Sequence, residues 1–370
     1  MKIGLFVSAA GRRDSGPETY EHCLVREVAR LDSENQYHII CFTQAAADSF
    51  QSLPGNFACH VLRPNSRWIS IPASLPLALR RLDVDFYHAT FIPPLVSFRP
   101  LLITMHGTDM FVHSEFFKPL TRLRLDTLMR RGLAQAGQII CVSRHVRDVI
   151  GARFNIPRER FAVVYHGVSE HFQPSPPEAT RARLRERFGI SRPYILYVGK
   201  MIASKNIARL LAAFRRARRE TGGEIDLVMV GRTYRRMSDL EPEFWEAAAA
   251  GEIKVLGHVE HTELPWLYSG AMLFVFPSLW EGFGLPVLEA MACGCPVITS
   301  DLSCLPEVAG GAATLVDPYE VDAIASAIVT LCTDDVERTR LRALGLQRAA
   351  QFSWTETARR TIEVYRRIRV

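Results

Sequence analysis

Two short segments hold residue types and spacings that suit binding of a phosphorylated ligand. The first, Pro277-Ser278-Leu279-Trp280-Glu281-Gly282-Phe283-Gly284-Leu285-Pro286-Val287-Leu288-Glu289-Ala290-Met291-Ala292, follows an apolar strand. Gly282 and Gly284 lie in a loop, Pro286 suits the first turn of a helix, and a helix runs on from there. Backbone N–H groups exposed at such a helix start hold a phosphate or diphosphate. Glu289 falls about one turn in, where a carboxylate reaches a sugar or ribose hydroxyl. The second segment is Val198-Gly199-Lys200-Met201-Ile202-Ala203-Ser204-Lys205-Asn206. A strand ends in Gly199, two lysines bracket a loop, and a helix begins. Two ammonium groups at that place hold a diphosphate and stabilise it as it leaves.

Other constellations compete. Glu281 and Glu289 read as a glycosidase pair only if their carboxylates stand about 5–9.5 Å apart. Eight residues of continuous helix span about 12 Å, so separate roles are the more natural reading. Asp83-Val84-Asp85 is a D-x-D, a pattern that holds divalent metals elsewhere, but it directly precedes the apolar Phe86-Tyr87-His88 at the start of a strand. Cys293-Gly294-Cys295 has no partner pair at ligand spacing. The eight cysteines show no CxxC pair and mostly sit in apolar runs, as free thiols of a reducing cytoplasm do.

The elements that must position these residues follow from hydrophobic runs. One series of strands is Lys2–Ser8, Tyr37–Phe42, Leu101–Met105, Gln138–Val142 and Phe161–Val164. A second is Tyr194–Val198, Asp226–Val230, Ile253–Leu256, Leu273–Phe276 and Pro296–Thr299. Amphipathic helices such as Thr19–Leu31 and Asn206–Arg219 lie between them. This alternation predicts parallel sheets covered on both faces. At 370 residues the chain suits two such domains. Pro174, Pro176 and Pro177 mark a linker, giving domains 1–172 and 173–352. A C-terminal helix over 353–370, capped by Ser353 or Thr355, is expected to pack back on the first domain. The expected fold is α/β: two doubly wound, Rossmann-like domains facing across a cleft, with ligands beyond the carboxyl ends of the strands.

The combined pattern P-S-x-x-E-G-F-G-L-P-x-L-E-A-M-A-C-G-x-P-V-I with G-K-x4-K-N resembles the retaining glycosyltransferases of glycosyltransferase family 4, which have the GT-B fold. The likeness extends to Val142-Ser143, Val164-Tyr165-His166-Gly167-Val168, Gly257-His258-Val259, Leu305-Pro306-Glu307-Val308 and the terminal F-S-W…Y helix. The resemblance covers residues 138–370 well and residues 1–137 more loosely. It implies that Glu281 contacts donor-sugar hydroxyls, with Gly282 and the Phe283 and Gly284 backbone beside it. The Leu285 backbone meets the phosphates, Glu289 the nucleotide ribose, and Lys200 and Lys205 the diphosphate. Val259 and Glu260 lie near the base, with Gly231 and Arg232 close by. His106, in Thr104-Met105-His106-Gly107-Thr108-Asp109, faces the sugar, and Asp109 braces that loop. His106, Lys205 and Glu281 are thus the expected catalytic residues. No metal or other cofactor is expected, because protein cations replace the metal.

Two positions depart from the family pattern. Lys stands at 200 where Arg is frequent, keeping the charge but losing the bidentate fork. After the first strand Gly11 stands apart and Gly16 precedes Pro17, so the phosphate-facing glycine assigned here is Gly16 alone. Two readings of other classes remain: a nucleotide-independent phosphorylase or hydrolase, and a basic surface-binding module.

The expected partners are a nucleotide-sugar donor and a glycan or lipid-linked acceptor. Lys205-Asn206 tilts the donor towards GDP-mannose, with UDP-sugars, and small-molecule or lipid acceptors, as the alternative. The net charge is +6, and through Glu170 the chain holds 20 Lys/Arg against 15 Asp/Glu. That basic half, with the stretch Lys118–Leu125 to Arg131, suits peripheral contact with an anionic lipid surface. No basic run interleaved with aromatics points to nucleic acid. No run of 18 apolar residues appears, so the expected location is cytoplasmic, or peripheral at the inner face of the membrane.

Overall fold

The computed structural model describes residues 1–11, 16–64, 66, 69–91, 96–108, 119–232 and 242–368. Its contacts divide the chain into two units, Met1–Gly167 with Ser353–Val370, and Val168–Phe352. The first unit holds strands β1 (Lys2–Phe6), β2 (Gln36–Cys41), β3 (Phe57–Val61), β4 (Phe86–Ala89), β5 (Leu101–Met105), β6 (Ala136–Cys141) and β7 (Phe161–Val163), in the parallel order β3-β2-β1-β4-β5-β6-β7. The second holds β8 (Tyr194–Val198), β9 (Asp226–Val230), β10 (Ile253–Gly257), β11 (Leu273–Phe276), β12 (Val297–Ser300) and β13 (Thr314–Val316), in the parallel order β10-β9-β8-β11-β12-β13. The central strands are buried on both faces: β4, β5, β8 and β11 have no exposed residue. This is why they read as unbroken apolar runs.

The sequence reading did not include β3 or β13. Both lie at sheet edges, β3 is half exposed and β13 is three residues long, so neither carries an apolar run. The division also falls after Gly167, five residues before the boundary at 172 expected from the proline cluster. Residues 168–172 pack within the second unit, where the Phe172 ring meets His261 and Tyr268. Pro177 begins the helix Pro177–Phe188, at a position whose missing N–H costs nothing.

After the second unit, the helix Trp354–Arg367 returns to the first. Ser353 caps it by accepting from Glu356 N, and Thr357 Oγ1 donates to Tyr165 O at 2.7 Å. Ala358, Ile362 and Tyr365 are buried on one face, against the helix Gly16–Leu31. A buried polar relay crosses this junction. Tyr365 Oη meets His88 Nδ1 at 2.9 Å, His88 Nε2 meets Thr104 Oγ1 at 2.7 Å, and Thr104 meets Tyr20 Oη at 3.1 Å. Beside it Tyr20, His106, His166 and Trp354 pack ring against ring.

Two predictions follow from this junction. A Cβ on Gly167 would lie 2.1 Å from Trp354 N and 2.4 Å from Ser353 C. Both are backbone atoms that cannot step aside. Gly167→Ala should therefore destabilise the first unit by roughly 1–3 kcal/mol or more in urea unfolding. Gly137→Ala, with its nearest neighbour at 4.0 Å, should stay near wild type.

The second concerns acid. Burial holds His88 down to about 3, His106 down to about 4 and His166 well below the ordinary imidazole value. The unfolded chain protonates these groups below about 6.5 while the fold does not, so their contribution is intact above that pH and lost as pH falls. Burial raises Glu21 to about 7, which works in the opposite direction between pH 7 and its unfolded value of 4.5. The balance is an uptake of about two protons on unfolding, or roughly 2–3 kcal/mol of stability lost per pH unit between 6.5 and 4.5. An unfolding midpoint that is flat from pH 7.5 to 5 would contradict this.

Candidate active site

In the second unit, strand order reverses between β8 and β11. Chain segments leave these adjacent parallel strands in opposite directions, opening a crevice at their carboxyl ends where ligands of such sheets bind. The loop 199–206 follows β8 and the loop 277–284 follows β11, so both lysine and glutamate motifs are delivered to that crevice. The two loops are fastened together: Leu279 N and Ser278 Oγ both donate to Ser204 O, at 2.9 and 3.1 Å. Across the fastening Lys205 Nζ pairs with Glu281 Oε1, each side chain mostly buried. Lys205 Nζ also lies 5.5 Å over the Phe276 ring. Asn206 adopts a left-handed conformation, φ 59°, and its amide donates to Pro318 O at 2.6 Å, turning the chain from the lysine loop into the helix Ile207–Glu220.

The neighbouring strand ends are drawn together by backbone contact. Gly199 N donates to Val230 O, Met201 N to Arg232 O and Gly231 N to Gly257 O, at 2.9, 3.3 and 2.8 Å. Gly231 has φ 142°, and a Cβ there would lie 1.9 Å from Gly199 O, so only glycine permits this approach. Lys200, Gly231, Arg232, Val259 and Glu260 thus lie at the carboxyl ends of β8, β9 and β10. Lys200 is half-buried, and its carbonyl accepts from Tyr197 Oη at 3.1 Å. Glu260 is exposed. Gly284, φ 89°, precedes the helix Leu285–Ala292 with Pro286 in its first turn. A Cβ on Gly284 would strike Leu305 Cδ2 at 2.7 Å. Gly282 and Phe283 are buried in this loop.

Glu281 and Glu289 have different partners. Glu289 is buried, accepts from Tyr268 Oη at 3.0 Å through Oε2, and faces His261 Nε2 at 3.6 Å through Oε1. The two carboxylates thus serve separate groups.

Gly16 and His106 belong to the first unit. Gly16 is exposed and begins the helix Gly16–Leu31, three residues earlier than the apolar pattern suggests. His106 follows β5, and its Nε2 meets Thr90 O at 2.7 Å. A carbonyl only accepts, so Nε2 carries the proton and Nδ1 is left as an acceptor. Asp109 and Lys118 lie outside the described residues. In the D-x-D, Asp83 Oδ1 accepts from Arg99 at 2.6 Å and Asp85 Oδ2 accepts from Lys2 N at 2.8 Å. Both therefore brace strand ends.

The sequence reading missed three residues. Glu21 is fully buried; it accepts from Ala9 N at 2.9 Å, Ala10 N at 2.6 Å and Thr90 Oγ1 at 2.5 Å. It ties the loops after β1 and β4, where the first sheet also reverses order. A glutamate among Tyr20, Leu24 and Val25 on the apolar face of a helix was its signal. His261 and Tyr268 flank Glu289, and His261 could have been noticed as a polar residue four positions past the edge strand β10.

Comparisons with known proteins bear on this geometry. The profile of "Glycosyl transferases group 1" matches residues 180–348, and that of "Glycosyltransferase Family 4" matches residues 15–172. O-antigen chain mannosyltransferase B of Escherichia coli is 36% identical over 268 residues, covering 71% of this chain and 69% of that protein. O-antigen chain mannosyltransferase RfbU of Salmonella typhimurium is 28% identical over 321 residues, covering 82% of each. The crystal structure of HepE from Anabaena, in complex with UDP and glucose, superposes with a TM-score of 0.77 at 19% identity, covering 100% of both chains. The family profiles and the 36%-identical relative show that the chain belongs to glycosyltransferase family 4, and with the two parallel-sheet units it is a glycosyltransferase of the GT-B fold.

Proposed function

We propose that the chain is a retaining hexosyltransferase that uses a nucleotide-sugar donor, with mannose as the favoured sugar. The observation that carries this reading is the Lys205–Glu281 pair at the switch point of the second sheet. It sets a cation for a diphosphate beside a carboxylate for sugar hydroxyls. Lys200 adds a second charge on the same loop, and the backbone at Leu285 offers donors at a helix start. Gly231, Arg232, Val259 and Glu260 lie towards the base, and Glu289 towards the ribose. The two O-antigen mannosyltransferase relatives and the Lys205-Asn206 pair support GDP-mannose. The fold neighbour solved with UDP supports a UDP-sugar as the alternative.

In the proposed reaction the bond from the anomeric carbon to the phosphate oxygen breaks as the acceptor oxygen attacks from the same face. Negative charge grows on the leaving diphosphate, where Lys205 and Lys200 stabilise it. The acceptor proton passes to that phosphate oxygen, so no enzyme nucleophile is needed. His106, neutral and presenting Nδ1, accepts a hydrogen bond from a sugar hydroxyl. The acceptor is a growing glycan, lipid-linked at its far end. Among the described residues no helix is long and apolar enough to cross a membrane. The basic excess of residues 1–170, with Leu123 exposed on the helix Pro119–Gln135, supports a peripheral contact with an anionic lipid surface.

The test is turnover of GDP-mannose and of UDP-glucose, followed as release of nucleoside diphosphate with a glycan acceptor. Lys205→Ala should lower kcat by about 10²–10³ while leaving the fold intact. Near-normal turnover in that variant, or release of sugar phosphate without any nucleotide, would overturn the reading.

A further inference from the structure

We infer that His261, which covers Glu289, is a donor-binding residue whose positive charge sets donor affinity. The inference rests on the nucleotide-sugar reading above and concerns the same site. Glu289 is nearly enclosed, its side chain 9% exposed, whereas the His261 side chain is 45% exposed. One carboxylate oxygen is engaged by Tyr268 and the other faces His261. A ligand hydroxyl approaching Glu289 from solvent therefore meets the imidazole first. His261 follows β10, at the same sheet edge as the Lys205–Glu281 pair, and is held in place by the rings of His171 and Phe172, at 5.0 and 4.9 Å.

The surrounding groups leave His261 as the titrating partner. Burial opposes its charge, but the hydrogen bond and charge of Glu289 outweigh burial and raise it from the ordinary imidazole value. Burial, and then the charge of His261, lowers His171, which stays neutral. Tyr268 is held far above neutrality and the Cys293 thiol is pushed up to about 12, both by burial first. On the loop of His261 itself, His258 pairs with Glu260 at 3.9 Å, while Glu263 is bound to Arg183 and Arg187.

The imidazolium adds positive charge facing an anionic ligand beside the carboxylate that meets a ribose hydroxyl. The neutral ring adds none. A nucleoside diphosphate should thus bind with proton uptake, and more weakly as pH rises through the His261 value. A displacement of one unit in that value between free and bound enzyme corresponds to a tenfold change in affinity.

The experiment is calorimetric titration of the full chain with GDP and with UDP between pH 7.0 and 8.5. The terminal phosphate, which titrates near 6, is constant in charge over this range. Wild type should lose about three- to tenfold in affinity across the range. His261→Asn should bind weakly at pH 7.0 with no pH dependence. His261→Lys, with a fixed charge, should keep most of the pH 7.0 affinity and hold it to pH 8.5. A flat wild-type profile, or His261→Asn retaining the wild-type slope, overturns the inference while leaving the nucleotide-sugar reading standing. The wild-type profile decides the matter even if a variant does not fold. If neither diphosphate binds wild type at any pH, the nucleotide-sugar reading falls and this inference with it.

Discussion

The ion pair between Lys205 and Glu281 is the interaction that joins the two loops at the switch point of the second sheet. Neither residue is placed by its own element alone. Lys205 ends a short turn after β8, Glu281 sits in the loop after β11, and 76 residues separate them in sequence. They meet because β8 and β11 are adjacent parallel strands, and because backbone and hydroxyl donors of residues 278 and 279 are fixed on the Ser204 carbonyl. A parallel sheet puts every strand's carboxyl end on one edge, and a reversal of strand order leaves a gap there. The glycines serve the same end. At Gly231 any side chain would collide with the Gly199 carbonyl, and Gly284, at φ 89°, holds a conformation that L side chains rarely adopt.

The two units treat buried ionisable groups differently. The first unit holds three neutral histidines and a raised carboxylate at the place where its strand order reverses and its final helix docks. Glu21 gathers the amides after β1 and the Thr90 hydroxyl after β4, and the Thr90 carbonyl in turn orients His106. The loops there are thus set by hydrogen bonds among groups that burial keeps largely uncharged. In the second unit the corresponding positions carry charge in pairs, Lys205 with Glu281 and His261 with Glu289. Paired charge at a strand edge is the arrangement suited to an anionic ligand with hydroxyls, because each pair offers both a cation and an acceptor.

Much of this was legible in the residues. Strands buried on both faces announce themselves as apolar runs, and Leu101–Met105, Tyr194–Val198, Asp226–Val230 and Leu273–Phe276 have the bounds read from sequence. The lysine and glutamate motifs stood out because glycines and a proline punctuate them. The edge strands Phe57–Val61 and Thr314–Val316 were not legible, since of their residues only Val316 is buried. The proline cluster at 174–177 drew the eye as a boundary, but the chain changes unit at Gly167, where a backbone-to-backbone contact with Trp354 leaves no compositional trace. Partners such as Tyr268 for Glu289 and Thr90 for Glu21 are long-range contacts that single-sequence periodicity does not encode.

The central claim, that the donor is held where β8 and β11 end, is tested most directly by amide hydrogen exchange of the chain with and without GDP-mannose or UDP-glucose. The account predicts that donor slows exchange in segments 199–206 and 278–289, with a smaller effect at 257–263, and leaves the edge strand Phe57–Val61 unchanged. Protection appearing elsewhere while 199–206 and 278–289 exchange as they do without donor would contradict it.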